Sequence, residues 1–268
     1  MSIGPGTPPP SRSRRWARKP ATGGAWLLVP ALLAPPLLVA PRVDAQESAT
    51  PAPARAPRPP GPLALSLTIS GGVSLGSHEA GFLYYLTELQ KRNPRAFQIV
   101  TVTGASAGSI NALITVLEGC APPVADPFRS LFFRTWIPIG VQQLFVPEET
   151  TPAGVFSRRA FAGSVAGLEA AWNQGLPSSC DVVLGIATTR LEPVPLTLRR
   201  GELRLPRLEE RFAVRLRGEG AGKPPRATHY ADPRVALEQP LLPLDGPTVN
   251  PFAAVRDALF ASSAFPIA

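Results

Sequence analysis

Two short apolar runs and the helical stripes that follow them set the pattern of this chain. Leu63-Ala64-Leu65-Ser66-Leu67-Thr68-Ile69 is rich enough in β-formers to predict a buried strand. A glycine loop follows, Ser70-Gly71-Gly72-Val73-Ser74-Leu75-Gly76. Then Phe82, Tyr85, Leu86 and Leu89 fall at i, i+3, i+4 and i+7, the spacing of a buried helix stripe, and Lys91-Arg92-Asn93-Pro94 closes it. The sequence repeats the unit at once. Phe97-Gln98-Ile99-Val100-Thr101-Val102 predicts a second strand, Thr103 to Gly108 a sharp turn, and Ser109 to Leu117 a helix. About 30 residues separate the two glycine loops, the length of one βαβ crossover. A parallel pair of strands would bring both loops to the same edge of a sheet.

The rest of the chain is less regular. Pro127 to Trp136 reads as a short amphipathic helix, either a lid that touches a membrane or a set of aromatics packed on the core. Ile137 to Pro152 reads as irregular, and Ser157 to Trp172 as a helix. Asp181 to Thr189 is the best later strand, with Val194 to Leu198 as its expected partner. Phe212 to Arg217 alternates apolar and basic residues and predicts a half-exposed strand. Gly218 to Pro247 reads mostly as loop, and a last helix is expected from Pro251 to Ser262.

The N-terminal stretch has a different logic. A basic region precedes the apolar run Ala25 to Ala34, which continues through Leu37 to Ala40. Val43-Asp44-Ala45 then offers small residues at signal-peptidase spacing. Residues 1–45 are expected to be a secretory signal peptide, which would place the protein outside the cell or in the envelope. Pro30, Pro35 and Pro36 interrupt the run and argue against a spanning helix. Residues 46–62 read as a Pro/Ala-rich linker, and 63–268 as the folded domain.

Composition narrows the chemistry. The chain has 268 residues, 44% hydrophobic and 17% charged, which suits a buried α/β core. Much of the net charge of +8 sits at Arg12, Arg14, Arg15, Arg18, Lys19 and Arg42, so it belongs mainly to the leader. No basic stripe with interleaved aromatics is present, and nucleic acid is not an expected partner. Cys120 and Cys180 lack metal-ligand spacing; in an oxidising compartment they either pair or remain separate thiols. His78 and His229 alone cannot build a metal site. No metal and no cofactor is expected.

The turn Gly104-Ala105-Ser106-Ala107-Gly108 reads G-x-S-x-G. In a strand–turn–helix context that pattern is a nucleophile elbow, with Ser106 at the apex and a helix N-terminus behind it. Gly71, Gly72 and Val73 of the upstream loop would supply main-chain N–H groups to an oxyanion. The competing readings are a serine-bearing turn without chemistry, and a nucleotide loop. The latter lacks G-x-G-x-x-G, a Walker lysine and an acid after the second strand.

These residues carry a family resemblance. Ile69 to Gly81, then Gly104 to Gly108, then Ala258-Leu259-Phe260-Ala261-Ser262-Ser263-Ala264-Phe265-Pro266, resemble three blocks of the patatin-like phospholipases in their order. The resemblance is strong over 63–118 and moderate over 251–268. It departs at Val73 and Leu75, where the family has a third glycine and an arginine. It implies a three-layer α/β/α fold with a mostly parallel sheet. It also implies a Ser-Asp dyad that hydrolyses lipid acyl esters at a membrane surface. The aspartate of that dyad lies in a D-G-[GA] turn after the third block, and this chain ends at Ala268. Asp245-Gly246 precedes the block and reads as a solvent turn. The base is therefore expected to be missing from this chain, and the domain to be C-terminally incomplete. Two alternatives stand beside the hydrolase: an inactive lipid-binding domain, and an esterase with a triad of Ser106, Asp181 and His229. Lipid class and oligomeric state are not specified by the sequence.

Overall fold

The computed structural model describes residues 61–72, 75–149, 157, 159–198, 203–230, 242–246 and 249–264. The expected signal peptide, the linker up to residue 60, Val73, and Phe265-Pro266 of the third block lie outside the described residues.

The architecture is α/β. A five-stranded open sheet is flanked by helices, consistent with a three-layer α/β/α arrangement. The strands are β1 (Leu63–Ile69), β2 (Phe97–Ala105), β3 (Asp181–Leu198), β4 (Leu203–Arg217) and β5 (Arg226–His229), and they lie side by side in that order. β1, β2 and β3 are parallel. β4 runs against β3, and β5 against β4, so every strand but β4 points the same way. The sheet is mixed and mostly parallel.

The helices are α1 (Gly76–Arg92), α2 (Ala107–Cys120), α3 (Leu131–Trp136), α4 (Val141–Leu144), α5 (Arg159–Gln174) and α6 (Pro251–Ser263). α2 is the axis of the domain. Every residue from Ala107 to Glu118 is buried. A helix buried on all sides must satisfy its polar side chains internally. Ser109 Oγ donates to the Ser106 carbonyl at 2.6 Å, and Thr115 Oγ1 to the Asn111 carbonyl at 2.7 Å. Asn111 Nδ2 donates to the Gly76 carbonyl at 2.9 Å. Glu118 accepts from the Leu131 amide at 2.5 Å.

One sheet face carries Val102, Leu184, Ile186, Val214 and Leu216, all buried against the helices. The alternate positions, including Ser66, Thr68, Thr101 and Arg215, are half-buried or exposed. Asn250 caps α6 by accepting from the Phe252 amide at 3.0 Å, with Pro251 in the first turn.

Four expectations need correction. The stripe Phe82, Tyr85, Leu86, Leu89 is not the buried face of α1: Phe82 and Tyr85 are each 65% exposed. The buried face is Gly76, Ala80, Leu83 and Thr87. The sequence holds two overlapping apolar stripes, and the one with small residues wins because it lets α1 sit close to α2. Val194–Leu198 is not a partner of Asp181–Thr189. It continues the same strand past an irregularity, and both halves pair with β4. β1, expected to be buried, is an edge strand with only Ile69 buried, and 137–152 contains α4 and a 3-10 turn at Pro147–Glu149; 218–247 is loop apart from β5 among the described residues. The alternative left open for the cysteines is also settled. Cys120 and Cys180 form a disulfide joining the end of α2 to the residue before β3.

Near their C-terminal ends, α1 and α2 share a buried ionic cluster. Lys91 Nζ lies 2.7 Å from Glu88 and 3.4 Å from Glu118, and all three side chains are less than a tenth exposed. Replacing Lys91 by methionine leaves two carboxylates buried without their cation. The expected loss is about 3–5 kcal/mol of unfolding free energy, read from urea titration. A Glu88→Gln/Glu118→Gln/Lys91→Met triple variant is expected to recover part of it.

Candidate active site

The site begins with register. Ile69 of β1 pairs with Gly104 of β2 in parallel, so the chain leaves both strands at the same sheet edge. The two turns then touch, backbone to backbone. A Cβ on Gly108 would lie 2.2 Å from the Ser70 carbonyl oxygen, and one on Gly104 would lie 2.1 Å from the Gly108 carbonyl oxygen. Neither position has room for a side chain. Gly71 in turn passes the nucleophile turn so closely that a Cβ there would lie 3.0 Å from the Ser106 Cβ.

Ser106 sits between β2 and α2 with φ 52° and ψ −127°. It is the one non-glycine residue with positive φ among the described residues. Such a conformation costs about 1–3 kcal/mol and persists only where the surroundings over-determine it. Three bonds do so. The Ser106 carbonyl accepts from the amide of Ser109 at 2.9 Å and from its hydroxyl at 2.6 Å. The Ser106 amide donates to Ser262 Oγ at 2.8 Å, and that hydroxyl donates on to the Ala187 carbonyl at 2.6 Å. The α6 C-terminus thus ties the elbow to β3. Ser262 had no assigned role in the sequence; the signal was its place in the third block.

The Ser106 side chain is half-buried, and its hydroxyl makes no hydrogen bond among the described residues. Gly71 and Gly72 donate no amide hydrogen bond among the described residues either, while the Gly72 carbonyl accepts from Leu75 and Gly76. Gly71 beside the serine, its amide without a partner among the described residues, and the α2 N-terminus behind Ser106 form a setting suited to developing negative charge. Val73, the third expected donor, lies outside the described residues.

Ser106 opens onto an apolar cavity of about 510 Å³. Its lining includes Ala107, Ile110, Trp136, Ile139, Val141, Leu144, Phe145 and Phe161. Trp136 is held in place by its Nε1, which donates to Asn111 Oδ1 at 2.7 Å. Asn111 is fully buried and reaches α1 through Gly76. Glu79 joins this network, accepting from Ser70 Oγ at 3.0 Å and from Asn111 Nδ2 at 3.4 Å.

The alternative triad is not assembled. Ala105 pairs with Ala187, whereas Asp181 lies six residues earlier on β3, about 20 Å toward the opposite sheet edge. His229 is on β5, the edge strand beyond β4. Asp181 is engaged there by arginines instead. It accepts a bidentate pair of hydrogen bonds from Arg215 at 2.7 and 2.6 Å, with Arg217 at 3.4 Å. Asp245 is exposed in the turn before α6, at the end of that helix remote from Ser262. Among the described residues no cluster of three metal-binding side chains forms.

Comparison of the chain with family models, curated proteins and solved structures returns no match. The site therefore rests on its own geometry.

Two measurements check that geometry. Ser262→Ala leaves the Ser106 amide and the Ala187 carbonyl without their shared partner, and is expected to lower stability by about 1–3 kcal/mol in denaturant unfolding. The second concerns pH. The hydrogen bonds from Arg215 hold the Asp181 carboxyl below its ordinary value of 3.8. Its contribution is full above that value and is lost as pH falls through the lower folded one. Asp181→Asn should flatten that part of the acid limb of a stability–pH curve and leave Ser106 untouched.

Proposed function

We propose that this chain is a serine acyl-ester hydrolase acting on lipid. The observation that carries the reading is Ser106, held at positive φ on a strand-to-helix elbow, at the wall of an apolar cavity of about 510 Å³. An elbow serine is suited to attack a carbonyl carbon, and the amides of Gly71 and Gly72, which donate to no partner among the described residues, would hold the resulting oxyanion. The hydroxyl proton passes to a base and the alcohol leaves protonated. Water then releases the acyl group from Ser106. The resemblance to patatin-like phospholipases implies an aspartate as that base.

A lipid substrate is favoured by the cavity and by its surroundings. Ile137, Val141 and Phe145 are 60%, 72% and 46% exposed, and no charged residue occurs from 137 to 146. An uncharged apolar rim around an apolar cavity suits a lipid surface. The disulfide and the N-terminal leader pattern together favour an oxidising compartment, hence secretion or the cell envelope.

A second reading has its own support. No described side chain hydrogen-bonds the Ser106 hydroxyl, as in a lipid-binding domain that keeps the loops without the chemistry. A long-chain fluorophosphonate separates the two. The hydrolase reading expects covalent labelling that Ser106→Ala abolishes. Wild-type protein that stays unlabelled, yet binds a long-chain ester as tightly as Ser106→Ala does, would establish the binding domain instead.

A further inference from the structure

The nucleophile cavity has a neighbour. A second apolar cavity, of about 250 Å³, opens between α1 and α3 and is lined by Ala80, Gly81, Tyr84, Phe132, Phe133 and Trp136 among others. Ser77 and Trp136 line both cavities. The Trp136 ring is therefore a partition, with Ser77 at its side.

The partition is fixed. Its indole N–H is bonded to the fully buried Asn111 at 2.7 Å. A Cβ on Gly76 would lie 2.4 Å from the ring, so the helix start is moulded against it. Phe161 meets it edge-on, with ring centroids 6.4 Å apart. A tryptophan clamped in this way does not swing aside to join the two spaces.

Size tells what each space holds. A dry apolar cavity of roughly 150 Å³ accepts a benzene ring, or roughly 25 Å³ per carbon. On that scale the Ser106 cavity holds about 20 carbons and its neighbour about 10. A single-chain ester uses the larger space and leaves the smaller one empty. A lipid with chains on adjacent carbons needs two apolar spaces that meet at one rim, separated by a wall, with the nucleophile on one side.

Resting on the hydrolase reading above, we propose that the cavity between α1 and α3 is a second alkyl-chain site, and that the substrate is a two-chain lipid whose chains lie on either side of Trp136.

Gly81 gives a clean test. A Cβ at this position meets nothing within 4 Å, and leucine is the better helix former, so Gly81→Leu fills the small cavity without disturbing α1. Binding is measured by calorimetry with two ether-linked, non-hydrolysable glycerophospholipids below their micelle concentrations, one carrying two eight-carbon chains and one carrying a single such chain. Wild-type protein is expected to favour the two-chain lipid at least tenfold. Gly81→Leu should erase that preference and leave single-chain affinity within twofold, while Gly81→Ser, too small to fill the space, keeps it. Circular dichroism melting confirms that each variant is folded. A preference that survives in Gly81→Leu, or none in the wild type, overturns the second site. So does an equal loss for both lipids in a folded Gly81→Leu. Ether lipids need no turnover. An unlabelled Ser106 with the binding pattern intact removes the hydrolase and leaves the second site standing, and labelled Ser106 without the pattern does the reverse.

Discussion

Two backbone turns in direct contact are the constraint on which this structure depends. Gly108 lies against the Ser70 carbonyl, and Gly104 against the Gly108 carbonyl, at distances no side chain tolerates. That contact fixes where α2 starts, and α2 is the helix around which the other elements pack. It also brings Gly71 close against Ser106. The strain at Ser106 is of the order of one good hydrogen bond or a few. The bonds from Ser109 and to Ser262 are of that size, so the elbow is held by local and distant partners together.

The buried polar residues of α2 divide by position. Near its start, Asn111 links Gly76 of α1 to the indole of Trp136 and so shapes the cavity wall. Near its end, Glu118 joins Lys91 and Glu88 and accepts the amide that opens α3. Both networks bind α1 to α2, but only the first touches the site. Stability and site geometry are thereby separable along a single helix.

The elbow and the first two strands were legible because their signals are local. Glycines at 104 and 108 and the β-rich runs before each loop depend on neighbours in sequence. The parallel pairing followed from the crossover length. The buried face of α1 was not legible, because Phe82 and Tyr85 make a stronger apolar stripe than Gly76 and Ala80. Choosing between them needs the position of Trp136, which is distant in sequence. β3 reads as two strands in the sequence because no local pattern joins Asp181–Thr189 to Val194–Leu198; the irregularity between Thr189 and Val194, which contains Pro193, keeps both halves paired with β4. Ser262 and the disulfide are contacts across 156 and 60 residues, and no local pattern encodes either.

The disulfide has a bearing on how the cavity is assembled along the chain. Cys120 and Cys180 bracket α3, α4, α5 and their connections, the segment that supplies most of the cavity wall. The elbow and the upstream glycine loop lie before the bracket, and Ser262 lies after it. The cavity is therefore built largely from one excursion of the chain, fastened at both ends and inserted between α2 and β3. Such an excursion behaves as a cassette. Its parts are contiguous in sequence and separate from the elbow whose cavity they wall, with Trp136 as the point where the two are joined through Asn111.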